Sequence, residues 1–222
     1  MQRNFIAEFV GTFALVFVGG GAIMMVQQTG NTAGLLPIAL AHGLILALMV
    51  TATMNVSGGH LNPSLTIGLL VARRIRPLLA GVHIAAQLTG AVLAAMALKW
   101  TMPTAVFLAA RGGGQSIALD VTMGQAIGLE AIATFFLMFV LYGTAVHSNA
   151  PKVGGFAIGL TIAADILAIG PLTGASMNPA RSFGPALASG IWEAQIIYWV
   201  GPILGAMVAA LVWEFGLMKR DA

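Results

Sequence analysis

The most informative polar residues of this chain belong to an asparagine–proline pair that occurs twice. Each pair opens a short apolar stretch, in the tripeptides Asn62-Pro63-Ser64 and Asn178-Pro179-Ala180. Asparagine is a preferred helix N-cap, and proline is a preferred first helical residue. Each tripeptide therefore predicts a helix start at which the asparagine oxygen accepts a backbone N–H and the NH₂ group stays free to donate into a lumen.

Two such caps facing each other would hold two amide donors at one point. Each helix start adds a partial positive charge of roughly half an electron. Together these groups would bind the oxygen of a passing neutral molecule, repel cations and interrupt a proton-conducting chain of waters. A single Asn-Pro pair would be an ordinary capped turn, but two pairs in equivalent places favour a pore.

An arginine follows the second pair. Arg181 lies in the first turn of its stretch, where the equivalent residue of the first stretch is Leu65. The helix dipole opposes a cation at this position, and burial in a membrane costs more. We interpret Arg181 as a selectivity device at one mouth of the pore. The alternative is an arginine that reaches out to the membrane interface.

The composition is that of a membrane protein. Of the 222 residues, 59% are hydrophobic and 8% are charged, whereas soluble domains carry about 25% charged residues. The scattered Lys and Arg residues do not predict nucleic-acid binding, and the chain has no cysteine. The histidines lie far apart, and neither an HExxH nor a GxSxG motif is present. We therefore predict no enzyme activity, no metal site and no cofactor.

Six apolar runs are long enough to cross a bilayer, which takes about 20 residues each. They lie near 5–26, 35–55, 79–100, 123–146, 153–170 and 194–217. The Asn-Pro stretches, near 62–72 and 178–188, have half that length, and broken helices at membrane depth are tolerated where they line a watery cavity. The predicted fold class is all-α integral membrane, with six transmembrane helices and two re-entrant half-helices.

The chain divides into two halves that echo each other. A glutamate stands early in the first and fourth spans, at Glu8 and Glu130. Three spans per half place the halves in opposite orientations, so we predict one domain over 1–222 with inverted repeats at about 1–110 and 111–222. The basic residues predict that both termini are cytoplasmic. Those on that side would be Arg3, Arg73, Arg74, Arg76, Lys152, Lys219 and Arg220, against Lys99 and Arg111 on the other.

These motifs resemble those of the major intrinsic proteins, the aquaporin family. The resemblance covers nearly the whole chain, through AEFVGTF at 7–13, SGGHLNP at 57–63, GASMNPARSFGPAL at 174–187 and YWVGP at 198–202. It implies an hourglass fold in membrane lipid, a homotetramer with one pore per subunit, and a passive channel for water and small neutral solutes. It also implies that Glu8 and Glu130 are scaffold groups for the loops behind the half-helices. His60 precedes the first Asn-Pro pair and is expected to stabilise its loop as a scaffold group, with a pore gate as the alternative.

The resemblance implies a narrow selectivity filter at four positions, which are His42, Ile166, Ala175 and Arg181. This set is similar to the tonoplast-intrinsic and ammonia-permeable branches. Ile166 removes a polar wall group, Ala175 leaves room, and His42 brings a ring that can donate or accept. We expect ammonia and hydrogen peroxide to pass as well as water, and protons and ions to be excluded.

Three residues bear on the alternatives. Ser182 stands where glycerol facilitators of the family typically have Asp, so a glycerol or urea facilitator is the second interpretation. An ion-coupled transporter would need charges along its path, and Asp165 has no assigned role; one helical step of about 100° from Ile166 should turn it off the lumen. Ser64 replaces the usual Ala and is expected to bond to the backbone of its own half-helix.

The short termini and compact loops lead us to expect a bacterial inner membrane.

Overall fold

The computed structural model describes residues 1–218 and contains six helices long and apolar enough to cross a membrane. Their bounds are Gln2–Gln28 (α1), Leu36–Ser57 (α2), Pro77–Thr101 (α4), Met123–Leu141 (α6), Gly154–Thr173 (α7) and Ile197–Val212 (α9). Single π-helical turns, Tyr142–Val146 and Trp213–Leu217, extend α6 and α9. The six predicted spans are confirmed. Lys219 and Arg220, which entered the orientation argument, lie outside the described residues.

Two short helices fill the gaps between the spans. Pro63–Val71 (α3) and Pro179–Ser189 (α8) each begin at a proline that follows an asparagine N-cap. α3 packs against α9 and α4, and α8 packs against α4 and α1. Most of their residues are buried, so neither half-helix exposes its backbone to lipid. A further helix, Thr104–Ala109 (α5), was not predicted from the sequence.

The long helices pack in pairs, α1 with α4, α2 with α7 and α6 with α9. Glycines let the backbones approach, as small residues do in membrane helices. A Cβ at Gly90 would meet the carbonyl of Phe9 at 2.5 Å. A Cβ at Gly205 would collide with the carbonyl of Ala131. Close pairing leaves the two half-helices and their loops enclosed by the bundle.

Large apolar side chains cover the outside of the bundle. Examples of exposed side chains on these helices are Leu44, Leu48, Ile132, Phe136 and Leu160. On a soluble monomer such a surface would be a liability. Its extent matches a protein surrounded by lipid and supports the assignment of the chain to a membrane.

Candidate functional site

The two asparagine caps have the geometry that the Asn-Pro pairs predict. Oδ1 of Asn62 accepts the backbone N–H of Ser64 at 2.9 Å. Oδ1 of Asn178 accepts the N–H groups of Ala180 at 3.0 Å and Arg181 at 3.2 Å. Both asparagines have extended backbone, as N-caps do. Each oxygen is thus committed to its own half-helix, and each NH₂ group points elsewhere.

Each NH₂ group donates across to the opposite loop. Nδ2 of Asn62 donates to the carbonyl of Met177 at 2.8 Å, and Nδ2 of Asn178 donates to the carbonyl of Leu61 at 2.9 Å. From the sequence, both N–H groups of each amide are predicted to be free to donate into the lumen. Here one N–H of each amide ties the half-helices together, and the other remains. Each amide meets the opposite loop because the backbone turns at Leu61 and Met177, where the φ values are 50° and 51°. This turn was not anticipated from the sequence.

Glu8 holds the loop before the first half-helix. Its Oε1 accepts the hydroxyl of Ser57 at 2.6 Å and the backbone N–H of His60 at 3.0 Å. Its Oε2 accepts the N–H of Leu61 at 2.7 Å. A left-handed backbone costs roughly 1–2 kcal/mol in a residue with a side chain, and hydrogen bonds to a charged group offset about that much.

Glu130 does the same for the second loop. Its Oε1 accepts the hydroxyl of Thr173 at 2.8 Å and the N–H of Ser176 at 2.9 Å, and its Oε2 accepts the N–H of Met177 at 2.7 Å. These partners stand five, two and one residues before Asn178, the spacing that the partners of Glu8 have from the first asparagine. The match supports the predicted inverted repeat of 1–110 and 111–222, which stays a prediction.

Both asparagines line a narrow cavity. One group of lining residues is apolar and includes Leu15, Leu46, Leu65, Leu137, Ile158 and Ile162. The polar lining residues are His42, His60, Asn62, Ser176, Asn178 and Arg181. Polar groups therefore interrupt the lining of an otherwise apolar cavity. Such a cavity can bind a small polar molecule at these groups and offers it few other partners.

Arg181 and His42 form one side of this cavity. Nε of Arg181 donates to Nε2 of His42 at 3.0 Å, and Nδ1 of the ring lies 2.8 Å from the carbonyl of Ile38. A carbonyl can only accept and a guanidinium can only donate, so the ring is neutral, with its hydrogen on Nδ1. Both ring nitrogens are thus occupied by protein, so the ability of the ring to donate or accept is used within the protein.

The remaining filter candidates complete the same region. Ile166 and Ala175 line the cavity beside Arg181, whose Nη1 is buried without a hydrogen-bond partner among the described residues. Arg181 is 3% exposed, so it does not reach out to the membrane interface. The guanidinium of Arg181, whose Nε donates to His42, is therefore the charged donor of this region.

Gln115 was missed by the sequence reasoning. Its side chain packs on Gly174, and it lines an outer space that Ile166 also borders. Both polar atoms of its amide are buried and unpartnered within residues 1–218. No motif marks it, because it lies in the irregular loop between α5 and α6.

Two further residues differ from expectation or were left open. The hydroxyl of Ser64 lies 2.7 Å from Oδ1 of Asn62 and 3.1 Å from the carbonyl of Met177, so it bonds across the centre and not to its own helix backbone. Asp165 does not line the cavity, as its helical position predicts. Its Oδ2 is buried and finds no partner in the part of the chain described. Within that part, His, Asp and Glu side chains form no group of three able to hold a metal ion.

Known proteins similar to this chain fall in one family. The family described as "Major intrinsic protein" matches residues 1–213. "Aquaporin TIP4-4" of Zea mays is 43% identical over 96% of this chain and 85% of its own length. "Probable aquaporin TIP3-2" of Oryza sativa subsp. japonica is 42% identical over 98% and 83%. A solved aquaglyceroporin from Plasmodium falciparum has a TM-score of 0.84 at 24% identity, covering 97% of this chain and 96% of that one, and shows the shared fold.

Proposed function

The chain belongs to the major intrinsic protein family, the aquaporins, and is a passive membrane channel for water and not an enzyme; from this premise we propose that it also passes ammonia and hydrogen peroxide and excludes protons and ions. We propose the central constriction at Asn62-Pro63-Ser64 and Asn178-Pro179-Ala180. We propose the selectivity filter at His42, Ile166, Ala175 and Arg181.

The paired asparagine amides carry the proposal. Each keeps one N–H that is not spent on the opposite loop, and each sits at a helix start with partial positive charge. A water molecule between Asn62 and Asn178 would accept from both amides and would then donate outward in both directions. That orientation opposes proton transfer along the file, and the two helix starts oppose cations.

The filter supports passage of ammonia and hydrogen peroxide. Ile166 and Ala175 give it apolar walls, and the nitrogens of His42 are occupied by Arg181 and Ile38. A solute therefore meets the guanidinium of Arg181 as a charged donor, and little else in this ring that would hold it. Small neutral molecules that resemble water in size lose least on entering such a ring.

The assembly and orientation are part of the same proposal. We propose a homotetramer in lipid, with one pore in each subunit and both termini cytoplasmic. An even number of spans supports termini on one side. The relatives reported above are plant proteins, and they give no support to the expected bacterial inner membrane.

The test is stopped-flow light scattering on vesicles that contain the purified protein. We expect rapid flux of water, ammonia and hydrogen peroxide, and glycerol and urea flux close to that of empty vesicles. Fast glycerol flux would favour the second interpretation, a glycerol facilitator. Ammonia flux no faster than in empty vesicles would contradict the proposal that the filter is wide enough to pass ammonia.

The variant Arg181→Val tests the filter itself. Removing the charge should keep water flux and admit protons, detected by a pH-sensitive dye inside the vesicles. Arg111→Gln is the matched control, because Arg111 is bonded to Glu193 at an exposed surface. A proton leak equal in both variants would contradict the role given to Arg181.

A further inference from the structure

Three glycines follow one another on α1, and the first of them lies against the ring of His42. A Cβ at Gly19 would collide with Nε2 of that ring and would meet Cδ2 at 2.5 Å and Cε1 at 2.8 Å. The other two face Leu98 instead, at 3.0 Å from a Cβ at Gly20 and 3.8 Å from one at Gly21. Glycine inside a helix is destabilising relative to alanine, and at Gly19 the missing side chain makes room for the His42 ring.

The ring cannot simply move aside, because both of its nitrogens are bonded. Nδ1 lies 2.8 Å from the carbonyl of Ile38, and Nε2 accepts from Nε of Arg181 at 3.0 Å. The edge of the ring that a side chain at position 19 would touch is the edge that carries Nε2. A side chain there would therefore compete with the hydrogen bond to Arg181.

A ring pushed off α1 would enter the cavity. Leu15, one turn before Gly19, lines the cavity, and so does His42, so this face of α1 lies on the cavity side. Atom Cδ2, 2.5 Å from the Cβ position, would have to move by roughly 1 Å, since carbon atoms in contact are about 3.5 Å apart. The open space beside the ring is the part of the cavity that Ile166 and Arg181 also line. The passage would become narrower there.

The equivalent position of the second half carries a large side chain. Gly19 is the eleventh residue after Glu8, and the eleventh residue after Glu130 is Leu141, which is buried. The spans that begin the two halves therefore do not both require a glycine at this level. The glycine occurs in the half that places His42 against it.

We infer that Gly19 is a specificity-determining residue that acts through His42. Its missing side chain lets the imidazole ring rest on α1, keeps Nε2 bonded to Arg181 and leaves the passage open to molecules larger than water. With alanine at this position the ring stands in the passage, and hydrogen peroxide is slowed more than water. The inference deepens the proposed function and rests on the proposed selectivity filter.

The experiment measures water and hydrogen peroxide flux in vesicles that contain Gly19→Ala, with Gly21→Ala as the matched control. Both variants add one methyl group to α1, but at Gly21 it makes only ordinary contacts. We expect the ratio of hydrogen peroxide flux to water flux to fall by roughly tenfold in Gly19→Ala, as a single added carbon in a selective site can cause. The ratio in Gly21→Ala should match that of the unaltered protein. An unchanged ratio in Gly19→Ala would overturn the inference.

A second pair of variants separates the effect on the ring from an effect on helix packing. In His42→Ala the methyl group of Gly19→Ala has no ring to displace, so the double variant and His42→Ala should have the same flux ratio. An equal fall in both backgrounds would mean that Gly19 serves only the packing of α1. If Gly19→Ala does not fold, a folded double variant supports the inference, and an unfolded one beside a folded His42→Ala overturns it.

Nitrogen NMR of histidine-labelled protein reports on the ring directly, and comparison with His42→Ala identifies the His42 signals. Nε2 should be a bonded acceptor in the unaltered protein and in Gly21→Ala, and should lose that bond in Gly19→Ala. An Nε2 signal that does not change in Gly19→Ala would overturn the inference. Absence of hydrogen peroxide flux in the unaltered protein would instead contradict the proposed function, while water flux and the Nε2 signal would still decide the role of Gly19.

Discussion

At the residue scale, the pore separates side chains that can touch a solute from those that hold them in place. The guanidinium of Arg181 and the second N–H of each asparagine amide are the polar groups that the cavity can offer to a solute. His42 faces the cavity too, but the protein uses both of its nitrogens. The polar character of the proposed filter therefore depends on the Arg181 guanidinium, and the neighbouring wall can be changed without removing that group.

Ala175 lies in the wall of the cavity, and its position leads to a prediction about inhibition by mercurials. It lines the cavity beside Arg181, and the chain has no cysteine. Water flux of the unaltered protein should therefore resist mercurials, whereas Ala175→Cys should become strongly inhibited, because a mercury adduct at this position blocks the file. Stopped-flow measurement before and after treatment, with a thiol added to reverse it, checks this.

The matched control for that measurement is Ala109→Cys. Ala109 is exposed at the end of α5 and does not line the cavity. Its cysteine should react with mercurials without loss of flux. Inhibition of the unaltered protein, or equal inhibition of the two variants, would contradict the placement of Ala175 in the pore.

At the element scale, the two carboxylates hold the loops that lead into the half-helices, at the point where each half-helix begins. In Glu130→Gln, an amide NH₂ would face at least one of the backbone N–H groups that the carboxylate now accepts. We expect a loss of roughly 2–4 kcal/mol of stability, from the hydrogen bonds to a charged group. Water flux should fall as well, because Met177, held by Glu130, accepts the amide of Asn62.

Thermal denaturation in detergent, followed by flux measurement at a temperature where the variant stays folded, tests this expectation. Glu193→Gln is the control, since Glu193 pairs with Arg111 at an exposed site where a salt bridge contributes about 0–1 kcal/mol. A Glu130→Gln protein as stable as Glu193→Gln would show that the carboxylate does not hold the loop.

The elements were predictable to different degrees. Span lengths and Asn-Pro caps are local signals, so α1 to α4 and α6 to α9 follow from the sequence. The filter draws on α2, α7, α8 and the loop before α8, and only the family resemblance brought its residues together. The partners of Ser64 and the burial of His83 depend on which loop or helix packs behind each group. Periodicity carries no information about such contacts.

At the scale of the whole molecule, the two proposed repeats differ at a few positions. Counted from the two asparagines, Arg181 is equivalent to Leu65, His60 is equivalent to Ser176, and Ser64 is equivalent to Ala180. The scaffold bonds of Glu8 and Glu130, in contrast, are equivalent in both halves. The shared contacts build the channel, and the unshared residues give its two ends different chemistry.

The bonds between the halves also decide how the molecule conducts. An alternating-access cycle would rock one repeat against the other, and each cycle would break the buried bonds from Asn62 to Met177 and from Asn178 to Leu61. A continuous pore keeps them. We therefore expect the temperature dependence of water flux to be shallow, close to that of diffusion in bulk water, when it is measured by stopped-flow at several temperatures. Protein-free vesicles should give a steep slope; a slope just as steep with protein present would mean that the halves move in each transport event.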